Sequence, residues 1–294
     1  MGLLKGRLPW WWLIAITWVW LSGCAATSPE ARTANTLAWA SDQGWAPVVL
    51  PGEDFDVQAF VPGHLRKVRR LTVYLEGDGL AWVDRDTPSF APTPVDPVGF
   101  RLAVADAGGQ AVHLARPCQY TQGAAFKGCH PRYWGTHRFA PEVIGAMDRA
   151  VQQLKSRYAA DELVLVGYSG GAAVAALVAA RRGDVVALVT VAGTLDTDVW
   201  TQAHRVSPLH GSLNPRAVSP NVAHVPQWHF AGGKDEVVTP AVLASFLDGA
   251  AGPQPRHTAA PIVETVPDFD HACCWVRAWP EMSRRFAAVP DARR

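Results

Sequence analysis

Residues 163–171 read L-V-L-V-G-Y-S-G-G, and no other stretch narrows so far what this chain can fold into. An aliphatic run with no polar alternation predicts a strand covered on both faces, because a strand with one wet face would alternate. The break at Gly167, Ser169, Gly170 and Gly171 predicts a tight turn with one serine at its tip. Residues 172–180, rich in alanine, predict a helix immediately after it. Further strands are expected at 56–61, 71–75, 110–114, 185–192, 227–231 and 262–266. Val143, Met147, Val151 and Leu154 recur at helical spacing within 139–158 and predict an amphipathic crossover helix. The unit from 110 to 166 thus reads as strand, crossover helix, parallel strand. A second helix is expected from 240 to 247, with Thr239 as its cap.

Three of these strands end in chemistry-bearing residues. The first carries G-x-S-x-G around Ser169. The strand at 227–231 runs into Gly232, Gly233, Lys234, Asp235, Glu236, Val237, Val238, Thr239 and Pro240, and the strand at 262–266 runs into Asp270 and His271. The strand–turn–helix context of Ser169, the G-x-x-D-x-x-V-x-P loop and the histidine after the final strand resemble the α/β-hydrolase superfamily. The chain order nucleophile, acid, base matches that fold and not the chymotrypsin or subtilisin orders. The resemblance implies a mostly parallel central sheet with helices on both faces and a cap between the strands at 185–192 and 227–231. It implies Ser169 as nucleophile, Asp235 as acid and His271 as base, acting without metal or organic cofactor. It also implies backbone donors for an oxyanion, from Gly170 and from Asp78 or Gly79 in the turn after the strand at 71–75. Glu76 and Asp78 depart from the family's common H-G form there and bring acids close to a developing negative charge.

Rival residues are weighed beside these. Asp196 and Asp198 follow the preceding strand, where some hydrolases place the acid. His113, His130, His137 and His229 fall near strand ends or pocket loops and read as structural or surface residues. Cys273 lies close to His271, but adjacent cysteines in an exported chain are oxidised or buried rather than nucleophilic. The proline-rich stretch 82–99 reads as an irregular loop over the mouth of the site.

The N-terminus sets the compartment. Lys5 and Arg7 precede an uncharged, tryptophan-rich run ending in Leu21, Ser22, Gly23 and Cys24, which has the shape of a signal peptide and resembles a bacterial lipobox. That resemblance implies cleavage of residues 1–23, lipidation of Cys24, and an envelope protein anchored in a membrane. Ala25 after Cys24 favours the outer membrane, facing the periplasm. Residues 24–46 read as the lipidated N-terminus and tether, and 47–294 as the hydrolase domain. Taking Lys5 and Arg7 from 27 basic residues leaves 25 against 26 acidic ones, a formal charge of −1. So neutral a body argues against a nucleic-acid partner, and the basic cluster Arg66, Lys67, Arg69 and Arg70 is too short to reverse that. The remaining cysteines are Cys118, Cys129, Cys273 and Cys274. Cys118 with Cys129 closes a short loop and is the preferred pair, while Cys273 and Cys274 pair with each other, stay reduced, or each reach one member of the first pair. No ligand spacing suggests a metal site.

The expected function is therefore an exported, lipid-anchored serine hydrolase of the esterase or lipase type, acting on a small-molecule or lipid acyl substrate. The alternatives are a peptidase or acyltransferase on the same fold, and a non-catalytic envelope lipoprotein that uses the scaffold for binding.

Overall fold

The computed structural model describes residues 28–250 and 260–287. The leader expected at 1–23 and the lipidation site Cys24 lie outside them.

Eight strands form one sheet: β1 (Trp45–Leu50), β2 (Val57–Pro62), β3 (Arg70–Leu75), β4 (Ala111–Leu114), β5 (Glu162–Tyr168), β6 (Val185–Val191), β7 (Gln227–Gly232) and β8 (Ile262–Val266), in the order β1-β2-β4-β3-β5-β6-β7-β8. Strands β1 and β2 pair antiparallel, as do β2 and β4. From β4 to β8 every pairing is parallel. β4 and β5 run parallel, as expected of a strand–helix–strand unit, with β3 lying between them.

Every residue of β5 is buried, as its unbroken apolar run requires. Leu163 and Leu165 enter one core, and Val164, Val166 and Tyr168 the other. The first core is closed by the helices α3 (Pro141–Arg157) and α4 (Gly170–Ala179), and α3 contributes the predicted Val143, Met147, Val151 and Leu154. The second is closed by α1 (Pro29–Asp42), α2 (Val98–Val104) and the C-terminal helix α8 (Trp275–Ala287), which contributes Trp275, Trp279 and Phe286. Two shorter elements, α5 (Thr197–His204) and α6 (Ser219–Val222), occupy the segment between β6 and β7, and α7 (Pro240–Gly249) follows β7. Thr239 stands at the N-cap position of α7, but its side chain makes no capping bond. Among the described residues no helix is long and apolar enough to cross a membrane.

The structure corrects two sequence expectations. Most of the stretch read as a tether is helix α1, and the first strand begins at Trp45. Ser28 caps that helix by accepting from the Ala31 amide (3.1 Å). Buried Arg32 donates to Ala91 O (2.9 Å) and Thr93 O (2.8 Å), and Trp39 and Trp45 pack edge-on against Phe100. These are long-range contacts, invisible to a composition that reads Ala, Ser, Thr and Pro. The second correction is that 82–99 is not wholly irregular. A tight hairpin bridges Trp82 and Pro88, and α2 begins at Val98.

The parallel register fixes the site. Leu75 lies opposite Gly167, Tyr168 opposite Val191, and Gly232 opposite Val266. The loops after β3, β5, β6, β7 and β8 therefore leave the sheet along one edge, where open parallel sheets gather their ligand-binding groups.

Candidate active site

Ser169 follows β5 directly and precedes α4, at φ 53° and ψ −121°. A positive φ is costly for a residue with a β-carbon. Two groups hold it there: its own amide donates to Val191 O (2.9 Å), and its carbonyl accepts from Thr194 N (3.1 Å). Small neighbours make the turn feasible, since a β-carbon on Gly171 would come within 2.2 Å of Leu75 O.

The structure brings Ser169, Asp235 and His271 together. Ser169 Oγ is 3.0 Å from His271 Nε2, and His271 Nδ1 is 2.9 Å from Asp235 Oδ2. The Asp235 side chain is fully buried, and its other oxygen accepts from the amides of Val237 (2.9 Å) and Val238 (2.7 Å). An ionised carboxylate only accepts, so Nδ1 carries the proton and the Nε2 lone pair faces the serine hydroxyl. The backbone of His271 is held as well, its carbonyl accepting from Tyr168 Oη (3.0 Å) and Trp275 Nε1 (3.1 Å). Burial first, and then the carboxylates of Glu76 and Asp235, push the Tyr168 phenol well above its usual range, so it remains a donor. Asp270 steadies the same loop by accepting from Ala272 N (2.9 Å) and Cys273 N (2.6 Å), and those amides hold its carboxyl below the usual range.

On the other side of the serine lies the turn 76–79. A β-carbon on Gly77 would contact Ser169 Cβ at 3.4 Å, and one on Gly170 would come within 2.1 Å of Asp78 Oδ1. The turn and the start of α4 therefore share one small space. Gly170 is the first residue of α4, so its amide has no intrahelical acceptor. Among the described residues no protein group accepts from the amides of Asp78 or Gly79. Gly79, at φ 67°, abuts Pro92 O at a distance no β-carbon would tolerate.

The two acids of this turn, anomalous in the sequence, are held by distant partners. Glu76 is buried and accepts from the amides of Gly99 (3.0 Å) and Phe100 (3.1 Å), which open helix α2, and from Gly77 N (3.0 Å). His113 Nε2 lies 3.1 Å away. The Glu76 carboxyl group is thus seated on the first amides of α2, where the helix terminus favours an acid. Asp78 is gripped by Arg116 Nη1 (3.1 Å) and Arg138 Nη1 (2.7 Å). Burial alone would raise its carboxyl, but Arg138 and Arg116 outweigh it and hold the group below the usual range. The two guanidiniums thus compensate the Asp78 carboxylate within the turn that faces Ser169. Arg116 also stacks on Phe139 (5.1 Å) and Arg138 on Trp200 (5.5 Å). Sequence reasoning missed Arg116, Arg138 and Tyr168. For the two arginines no local spacing exists to find them, since Asp78 is 38 and 60 residues away.

The rival residues are accounted for. Asp196 caps α5 through the amides of Asp198 (2.9 Å) and Val199 (3.3 Å) and also accepts from Ser245 Oγ (2.6 Å) and Asn214 Nδ2 (3.0 Å). Asp198 accepts from Asn214 Nδ2 (3.2 Å). Neither reaches His271. His229 is sealed between Thr190 Oγ1 (2.7 Å) and Gln227 Oε1 (3.0 Å), and burial pulls its imidazole down to about 3. His130 caps a short 3-10 turn, and His137 contacts Thr136 Oγ1 (2.9 Å). Cys118 and Cys129 are joined, with Cα atoms 5.7 Å apart, and Cys273 is joined to Cys274. Among the described residues no group of three or more His, Cys, Asp or Glu is arranged to hold a metal ion.

A cavity of about 940 Å³ opens over Ser169 and His271. Its walls come from the turn 76–79, the hairpin at Trp82, the segment at Val95, Arg138, and the excursion after β6 through Trp200, Val206 and Leu209. The segment expected to be a cap thus forms one wall. It is fastened to the acid loop by Trp200 Nε1 (2.9 Å) and His204 Nε2 (2.7 Å), both donating to Val237 O.

No protein-family model matches the sequence, and no curated protein does. Among solved structures, the chain is similar to an esterase of Pyrococcus furiosus at 13% identity and TM-score 0.57, over 84% of this chain and 92% of that one. It is also similar to the esterase domain of a Rhodothermus marinus protein at 13% identity and TM-score 0.53, over 83% and 98%. A 2,6-dihydroxy-pseudo-oxynicotine hydrolase matches at 17% identity and TM-score 0.55, over 87% and 73%. At these identities the likeness is one of architecture: the chain has the α/β-hydrolase fold.

Proposed function

We propose that this protein is an exported, lipid-anchored serine hydrolase that cleaves an acyl ester through an acyl-enzyme. The observation that carries the reading is the continuous hydrogen-bonded chain Ser169 Oγ, His271, Asp235 at the edge of the sheet, with a cavity open above it. His271 Nε2 takes the hydroxyl proton as Ser169 Oγ attacks the acyl carbon, and Asp235 stabilises the imidazolium that results. The oxyanion is met by the amides of Gly170 and of Asp78 or Gly79, in a turn held in place by Arg116 and Arg138. The imidazolium returns its proton to the leaving alkoxide. Water then adds to the acyl carbon as His271 takes one of its protons, and His271 returns that proton to Ser169 Oγ as the acyl–oxygen bond breaks, releasing the acid and restoring the serine. Esterases of the same fold at low identity support ester cleavage, and the lipobox ending at Cys24 supports the anchor and an envelope location on the outer membrane, facing the periplasm.

The test is a fluorophosphonate probe on the folded protein, with Ser169→Ala as control. One label per chain is expected in the wild type and none in the variant. A folded wild-type chain that takes no label refutes the enzyme reading, and labelling that persists in Ser169→Ala refutes the nucleophile. A parallel panel of acyl esters and amides separates ester hydrolysis from peptidase activity on this fold.

A further inference from the structure

Among the described residues, the large apolar side chains left exposed are unevenly distributed. Trp82 (42% exposed), Val83 (65%), Phe90 (79%) and Val95 (67%) all belong to the segment that rims the cavity, and Val206 and Val237 face the same opening. Clustered apolar exposure of this kind marks an interaction surface, whereas single exposed residues do not. Its charged neighbours leave a small net negative charge: Asp84 and Asp86 flank Arg85, and Asp96 is paired with Arg101 (2.9 Å). A surface of this composition suits an electrically neutral apolar phase better than a polyanion.

The N-terminal helix supplies the second observation. Arg32, one turn into α1, donates to Ala91 O and Thr93 O, one and three residues after Phe90. The helix start is thereby fastened to the apolar rim. Only four chain steps separate its cap, Ser28, from Cys24, and four steps reach at most about 14 Å. A lipid on Cys24 would therefore be attached within about 14 Å of the start of the helix that is fastened to the rim.

We infer that the rim carrying Trp82, Val83, Phe90 and Val95 is a docking surface for a phospholipid bilayer, held there by the anchor at Cys24 and the Arg32 fastening of α1. The orientation rests on the lipid-anchored reading above. The anchor turns a weak apolar contact into an intramolecular one, and the cavity mouth then faces the membrane. The substrate this geometry suits is an acyl ester presented by the bilayer.

The experiment uses the full chain on phosphatidylcholine vesicles, with an environment-sensitive fluorophore placed at Phe90→Cys or, as a control on the edge strand, at Val49→Cys. Nitroxide-labelled lipid is expected to quench the label at 90 at least threefold more than the label at 49. Equal quenching at the two positions, or none at 90, overturns the proposal. A label at 90 that responds to protein concentration without vesicles overturns it in favour of self-association. Flotation of Cys24→Ser tests the anchor separately, with about a tenfold loss of vesicle binding expected. If Cys24→Ser floats as well as the wild type, the anchor fails, and with it the claim that Cys24 holds the rim in place. If neither chain floats, the docking surface fails too. In an activity arm, the doubly substituted Val83→Asp, Phe90→Asp chain should hydrolyse a vesicle-embedded ester about tenfold more slowly and a soluble short-chain ester at the wild-type rate. Equal losses on both substrates overturn the proposal. Absence of all hydrolysis speaks against the serine hydrolase and leaves the quenching result standing.

Discussion

Two walls face each other across Ser169, and they are built in opposite ways. The wall that carries Asp235 and His271 is held by its own neighbours: Asp235 accepts from amides two and three residues on, and so does Asp270. The wall at 76–79 is held from afar, Glu76 by α2 and His113, Asp78 by Arg116 and Arg138. Local hydrogen bonds are remade whenever the loop forms. Long-range ion pairs exist only when the whole fold is in place. The first wall should therefore govern chemistry with little effect on stability, and the second should couple the two.

The sharpest way to break that contrast is at Asp235. Asp235→Asn keeps the volume but removes the acceptor that holds the Nδ1–H tautomer, and a turnover loss of about 10⁴-fold is expected, with KM little changed. Asp196→Asn, remote from His271, should lower stability and leave turnover within a fewfold of wild type. Steady-state kinetics on a soluble ester decides, and a reversed ranking would show that the acid has been misplaced.

Acid titration separates the walls next. His229, on the strand that leads to Asp235, is held neutral in the fold by burial, near 3 against an ordinary value of about 6.5. Its folded value lies below its unfolded one, so its full contribution is present above pH 6.5. From there down to about 3 the unfolded chain binds the extra proton, and stability falls by about 1.4 kcal/mol per unit. Asp78, also depressed, contributes above its unfolded value near 4, and that contribution is lost only below it. Thermal melts from pH 7 to 3 should show a slope between 6.5 and 4 that His229→Gln flattens. An unchanged slope in the variant would assign it elsewhere.

What was legible in the sequence divides along the same line. Ser169, Asp235 and His271 each follow a strand of clear apolar pattern, and a strand followed by a short motif is a local signal. The structure brought all three within hydrogen-bonding distance. The order of the parallel strands was not legible, because β3 enters between β4 and β5 through packing alone. Nor was α1, whose polar, small-residue sequence gains its place through the Arg32 contacts and the aromatic group around Phe100. The turn 76–79 looked anomalous because its acids were read without their partners. Glu76 and Asp78 make sense only beside α2, His113, Arg116 and Arg138, which lie 23 to 60 residues further along the chain.

The smallest effects test whether the distant wall couples stability to rate. Arg116→Met removes a guanidinium that grips Asp78 and stacks on Phe139, leaving Arg138 as the carboxylate's remaining partner. Removing one member of a buried pair costs about 3 kcal/mol, which in a domain of this size is a Tm drop of roughly 6–12 °C. The freed turn should misplace its amides by a fraction of an ångström, so a 10- to 100-fold loss in kcat with KM little moved is expected alongside. Asp270→Ala is the matching change on the near wall. It deletes an exposed acceptor of two amides, while Tyr168 and Trp275 still hold the His271 carbonyl. A loss of kcat below tenfold and almost no change in Tm is the expected result. If Asp270→Ala lowers Tm as far as Arg116→Met does, the two walls are not built differently, and the division drawn between local and distant support fails.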